Sequence, residues 1–212
     1  MEIKREYIGA GRPNRPGKAN PMKYITVHET GNASRGAGAK AHASYLRNTT
    51  DKVSWHYTVD DGAVYQHLPD NETAYHAGDG ANGPGNAQSI GIEICVNADG
   101  DFDAACKNAA WLVGKLMREH NIPIGNVKQH YDWNGKDCPK NIRHTGKWEV
   151  FIEMCKSAAN PVPAVPVYTP SGWAKASWEK AVAKGITDGL RPQDQCTREE
   201  LVTMLDRAGV LG

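Results

Sequence analysis

No run of about 18 apolar residues occurs in this sequence, which argues against a membrane-spanning helix. The opening Met1-Glu2-Ile3-Lys4-Arg5-Glu6-Tyr7 also lacks the uninterrupted apolar stretch of a secretory signal, so the expectation is synthesis for the cytoplasm. Charge of one sign is missing too. Lys and Arg number 25 against 24 Asp and Glu, the net charge is +1, and the basic residues are scattered, so no electrostatic footprint for nucleic acid is present. The five cysteines are an odd count without close pairs, which argues against a disulfide framework. Cys95, Cys106 and Cys155 fall in apolar periodic segments and read as small buried hydrophobes. Cys138 lies instead in the polar loop Asn134-Gly135-Lys136-Asp137-Cys138-Pro139, where burial alone does not explain a thiol.

What is there suffices for one α/β domain and a small appendage in 212 residues. The segment 23–28 alternates and is rich in β-branched and aromatic residues, predicting a strand that ends at His28. An Ala-rich helix is expected over 36–47, and a hairpin over 54–60 and 63–68 around Asp60-Asp61-Gly62. The Gly/Asn-rich stretch 78–86 reads as a mobile loop. In 89–96, Ile90, Ile92 and Ile94 share one face while Gly91, Glu93 and Cys95 share the other, so a lone carboxylate projects from an apolar strand. Asp101 caps a helix with apolar residues at helical spacing from Phe102 to Met117, and Asn121-Ile122-Pro123 ends it. A short strand over 127–130 and a closing helix over 147–158 complete the unit.

The expected architecture is therefore α/β, a mixed central sheet flanked by helices, with a small helical C-terminal module. The boundaries are 1–159 for the main domain, 160–170 for a stiff proline-rich linker containing Pro161, Pro163, Pro166 and Pro170, and 171–212 for the module. Within the module, Thr197 and Glu200 form a capping-box pattern. About forty residues bury little core alone, so this tail is expected to lean on a partner, a copy of itself or the first domain.

Three residues stand out as candidate metal ligands: His28 and His130 at strand ends, and Cys138 in the adjoining loop. Two imidazoles and a thiolate suit a borderline-soft ion and leave one tetrahedral position open, the mark of catalysis rather than structure. No short signature such as two histidines one helical turn apart accompanies them. On pattern alone, two ordinary histidines and an inert thiol are the favoured account of the same residues.

The stretches Ile25-Thr26-Val27-His28-Glu29-Thr30, Val53-Ser54-Trp55-His56-Tyr57-Thr58-Val59, Ala74-Tyr75-His76-Ala77-Gly78, Gln88-Ser89-Ile90-Gly91-Ile92-Glu93 and Lys136-Asp137-Cys138-Pro139 occur in the order of the amidase-2 family. The chain from about Lys23 to Cys155 resembles that family, whose fold is shared by phage lysozyme-type amidases, bacterial autolytic amidases and peptidoglycan recognition proteins. The resemblance implies Zn2+ held by His28, His130 and Cys138, and hydrolysis of the amide between the N-acetylmuramic acid lactyl group and L-alanine of peptidoglycan. It implies Glu93 as the general base and acid, against a plain reading as an edge-strand glutamate in a salt bridge, and Lys136 as the oxyanion-stabilising charge, against a solvated loop lysine. Trp55, a candidate for substrate contact, stands where some phage relatives carry a catalytic tyrosine and lack the glutamate, which moves the expectation onto Glu93. His76 resembles the histidine lining the substrate groove, with a structural hydrogen-bonding role the alternative. His144 is a weaker candidate for substrate contact. Asp132 and Asp137 read as ligand-orienting or turn residues, His56 as a packing residue, and His42, His67 and His120 are assigned no role.

The tail resembles a single surface-layer homology motif, carried by 178–189 and Thr197-Arg198-Glu199-Glu200-Leu201. That implies attachment to a secondary cell-wall polymer, or homo-oligomerisation that restores several copies. Together these resemblances imply a phage or prophage endolysin that waits in the host cytoplasm and acts on the wall after release. The alternatives are a bacterial autolysin of the same chemistry, a non-catalytic peptidoglycan-binding protein, and a zinc peptidase acting within the stem peptide.

Overall fold

In the first unit, the alternation of Ile90, Ile92 and Ile94 with Gly91 and Glu93 makes β5 (Ser89–Ile94) the centre of a six-stranded sheet in a computed structural model that describes residues 1–160, 169–189 and 195–211. The other strands are β1 (Ile3–Arg5), β2 (Tyr24–Glu29), β3 (Tyr57–Val59), β4 (Val64–Gln66) and β6 (Val127–Gln129), in the order β1-β4-β3-β5-β2-β6. Only β3 and β4 pair antiparallel, the hairpin expected at Asp60-Asp61-Gly62. β5 runs parallel to both β2 and β3, so His28, Glu93 and Thr58 come into register across three strands.

The helices are α1 (Ala39–Asn48), α2 (Pro84–Gln88), α3 (Phe102–His120), α4 (Tyr131–Asn134), α5 (Lys140–His144) and α6 (Trp148–Ala159). One sheet face carries Ile25, Val27, Ile90, Ile92, Ile94, Tyr57 and Val59, which pack with Ala109, Leu112, Val113 and Leu116 of α3 and with Phe151 and Cys155 of α6. At about 1.5–3 kcal/mol for each large side chain buried there, this face holds the fold together and leaves the opposite face free to be polar. α3 and α6 come close because Gly114 has no side chain, and a Cβ there would lie 2.5 Å from the Ala158 backbone. Asp101 accepts a hydrogen bond from Ala104 N at the start of α3, and Asn121 closes the helix in the left-handed conformation.

The polar face carries Thr26, His28, Ser89, Gly91, Glu93 and Thr58, all but Glu93 fully sealed from solvent. One expectation is corrected here. The stretch 78–86 is fastened rather than loose: Asn86 Oδ1 accepts from His76 N and Ala77 N, Asp79 accepts from Gly85 N and Asn86 N, and residues from Pro84 on form α2.

The chain divides into two compact units, Met1–Asn160 and Pro161–Gly212. In the second, α7 (Lys175–Ala183) and α8 (Arg198–Arg207) are the described helices, and α8 opens with the Thr197–Glu200 capping box. Trp173, Leu201, Val202, Val210 and Leu211 of this unit are exposed. Most of the expected proline linker falls outside the described residues. Among the described residues, no helix is long and apolar enough to cross a membrane.

Candidate metal centre

β2 delivers His28 to the polar face near its C-terminal end, in register with Glu93 of β5, while β6 pairs with the preceding Ile25, Thr26 and Val27. β6 stops at Gln129 and turns into α4, which places His130 at the helix entrance with Nδ1 2.9 Å from His28 Nδ1. Cys138 lies on the loop after α4, its Sγ 3.9 Å from His28 Nδ1. One donor atom from each of the three residues lies within 4.8 Å of the others, an arrangement able to hold a metal ion.

The thiol is held by a neighbour that the sequence argument passed over. Glu29 follows His28 and so points to the apolar face, yet it is a carboxylate. Its two oxygens accept from Asn141 N and Ile142 N, each at 2.9 Å, at the N-terminus of α5. Its own N–H points at Cys138 Sγ at 3.5 Å. A single residue of β2 thus ties both the loop and the helix that follow Cys138 to the strand bearing His28. The only advance signal was a carboxylate at a position where Ile25 and Val27 predict a hydrophobe.

Glu93 reaches His28 Nδ1 at 4.0 Å from the next strand. Burial pushes its carboxyl up to about 8, against the opposing charge of Lys136 and with the help of Glu29. Its Oε2 is buried and has no hydrogen-bond partner among the described residues. Burial also drives His28 well below the usual histidine range and takes His130 down to about 4, so both imidazoles are neutral and available as ligands. Cys138 is pushed up to about 12 by burial, with the nearby Glu93 adding to it. A buried thiol, two neutral imidazoles and a carboxylate oxygen without a partner among the described residues form a donor cluster suited to a cation.

The remaining sequence candidates separate. Lys136 is exposed on the Cys138 loop, and its charge acts on His28, His130, Glu93 and Cys138. His76 is buried behind His28, its Nδ1 2.9 Å from His28 Nε2. Trp55 packs with Ile8, Leu46, Leu68 and Ala74 in a second apolar cluster, its indole N–H donating to Thr58 Oγ1 at 2.7 Å. It therefore supports the strand beside Glu93 from below rather than meeting the three ligands. His144 is exposed and pairs at 2.7 Å with Asp137, the residue before Cys138. Asp132 accepts from Gln129 N and shapes the turn into α4. His56 uses both ring nitrogens, one on Gly91 N and one on the Glu72 carbonyl.

Comparison with known proteins bears on this cluster directly. The family described as N-acetylmuramoyl-L-alanine amidase matches residues 18–141, a span that contains all three candidate ligands. N-acetylmuramoyl-L-alanine amidase CwlH of Bacillus subtilis (strain 168) is 49% identical over 179 residues, covering 82% of this chain and 70% of its own length. N-acetylmuramoyl-L-alanine amidase XlyA of the same strain is 54% identical over 151 residues, and there this chain accounts for half of the relative's length. A solved mutant endolysin from Bacillus subtilis superposes with a TM-score of 0.70 at 53% identity, covering 73% of this chain and 99% of that one. With its family match, its sequence relatives and its fold in agreement, this chain belongs to the N-acetylmuramoyl-L-alanine amidase family.

Proposed function

We propose that this protein is a zinc-dependent amidase that cleaves the bond between the lactyl carbonyl of N-acetylmuramic acid and L-alanine in peptidoglycan, acting as an endolysin. The observation that carries the reading is the convergence of His28, His130 and Cys138, with the Glu93 carboxylate beside them. The donor set fits zinc in kind, and its spacing comes within about 0.4 Å of what zinc needs. Tetrahedral bonds of about 2.0–2.1 Å to nitrogen and about 2.3 Å to sulfur require nitrogens roughly 3.3 Å apart and sulfur roughly 3.6 Å from nitrogen. The separations here are 2.9 Å and 3.9 Å.

When bound, zinc supplies a Lewis acid that polarises the amide carbonyl and makes water more acidic. Glu93 accepts the proton of the attacking water as the new C–O bond forms, and returns it to the amine nitrogen as the C–N bond breaks. Its buried Oε2, with no partner among the described residues, leaves it free for this traffic. Lys136, exposed on the loop with its charge felt by the cluster, is the group to offset negative charge that develops on the carbonyl oxygen. Glu29 keeps Cys138 against β2 while this happens.

The endolysin setting is supported by the likeness to a solved endolysin. The unit Pro161–Gly212 is proposed to attach the enzyme to a wall polymer, on the resemblance of its 178–189 and 197–201 segments to a surface-layer homology motif. Digestion of purified peptidoglycan, with products read by mass spectrometry, tests the chemistry. New L-alanine amino termini and intact lactyl-bearing glycan should appear, and a chelator should abolish both. New reducing sugar ends, or cleavage within the stem peptide, would overturn the assignment.

A further inference from the structure

The ring of His76 lies directly on the backbone of β5, and the strand is built to receive it. A Cβ on Gly91 would stand 2.8 Å from the His76 ring atoms, so glycine is required there by the histidine and not by the strand. Beyond His76, its Nε2 faces Ser89 Oγ at 3.5 Å. The direction of the protons in this polar layer is fixed at its far end. Trp133 Nε1 can only donate, and it donates to Thr26 Oγ1 at 3.0 Å. The Gly85 carbonyl can only accept, and it takes the Ser89 hydroxyl proton at 2.6 Å. The Thr26 proton is therefore directed to Ser89 Oγ, 2.7 Å away, and Ser89 meets His76 with a lone pair. His76 Nε2 then carries the proton, its Nδ1 is bare, and His28 Nε2 must be the donor across their 2.9 Å contact.

The other end agrees. Asn134 donates its amide to the Ala77 carbonyl while its oxygen accepts from Lys136 N, which sets the orientation of the amide. The same amide nitrogen stands 3.3 Å from His130 Nε2, so in the metal-free chain His130 presents Nδ1–H to His28 Nδ1 at 2.9 Å, a proton that must shift to Nε2 before His130 can ligate through Nδ1. All the protons from Asn134 to Gly85 point one way.

We propose that His76, anchored by Ser89 and given room by Gly91, is a positioning residue that holds the proton of His28 on Nε2, so that the Nδ1 facing Cys138 is bare before any metal arrives. This rests on the zinc centre proposed above. It assigns His76 to ligand orientation rather than to the substrate groove. Metal-ligating histidines depend on such partners, whose loss weakens metal affinity by about 10- to 100-fold.

The test uses the full chain and two readouts. In the metal-free protein, long-range 15N spectra of the imidazoles should show His28 Nε2 protonated and Nδ1 bare; the reverse tautomer overturns the proposal without any variant. Zn2+ affinity is then measured by competition with a chromophoric chelator. His76→Leu should weaken binding roughly 10- to 100-fold, while His76→Asn, whose amide oxygen can stand where Nδ1 accepts, should recover most of it. A packing role alone would favour leucine over asparagine, and that ranking, or wild-type affinity in both variants, sinks the inference while leaving the zinc centre intact. Should His76→Leu fail to fold, Ser89→Ala provides the second variant, expected to weaken Zn2+ binding in the same direction. Failure of the wild-type chain to take up one equivalent of Zn2+ would instead bring down the metal reading, with the tautomer still decided by the spectra.

Discussion

Glu93 and Glu29 lie on adjacent strands in register 28-to-93, yet their chemistry is opposite because one is paired and the other is not. Glu29 spends both oxygens on backbone N–H groups, whereas Glu93 keeps one oxygen without a partner among the described residues. A carboxylate left in that condition in a folded core is costly, and burial raises it to about 8. Its retention argues for use rather than stability. Glu93→Gln preserves the shape and removes the proton traffic, so one metal equivalent should remain by elemental analysis while turnover of peptidoglycan falls by roughly 10²-fold or more. Near-normal turnover in that variant would remove Glu93 from the mechanism.

At the scale of elements, the centre is a joint between β2 and the irregular stretch from α4 to α5. Glu29→Ala would leave two N–H groups at the start of α5 unpaired, one of them buried, at about 1–3 kcal/mol. Denaturant midpoints should fall accordingly, and Glu29→Gln, which can still accept one bond, should recover part of the loss. Much of this architecture was readable in advance. The alternation in Ile90-Gly91-Ile92-Glu93-Ile94 marked both the core face and the carboxylate, and Asp101 marked the start of α3, because these signals are local. β1, α2, α4 and α5 were not foreseen, since three to five residues carry few periods, and these lack the apolar flanks or turn signal that marked β3, β4 and β6. The pairing of His28 with Cys138, 110 residues apart, was only the less favoured reading of the pattern until family resemblance raised it, for spacing says nothing about a contact made by tertiary folding. Glu29, Ser89 and Thr26 escaped notice for the same reason. Each is ordinary in sequence and acquires its role only from what the fold sets beside it.

For the whole molecule, the cost of this polar face appears as acid sensitivity. Six of the eight histidines, His28, His42, His56, His67, His76 and His130, are buried. His56 and His67 are instructive because neither is a candidate ligand. Burial lowers His56 below the usual histidine range and takes His67 down to about 3. Their folded values lie below the unfolded value of about 6.5, so the unfolded chain binds more protons as pH falls beneath it. The stability they contribute is complete above about 6.5 and is lost as pH falls toward the folded values. Two such groups steepen the dependence by up to about 2.7 kcal/mol per pH unit, against a total of about 5–15 kcal/mol for a domain. The metal-free protein should therefore unfold cooperatively within a few units below neutrality, measured as denaturant-unfolding free energy at successive pH values from 7 to 4. His67→Gln should flatten the slope by about one proton, because the glutamine has nothing to titrate. A flat profile in the wild-type chain would mean that these rings are charged or exposed, and the packed polar layer around the candidate metal centre would have to be redrawn.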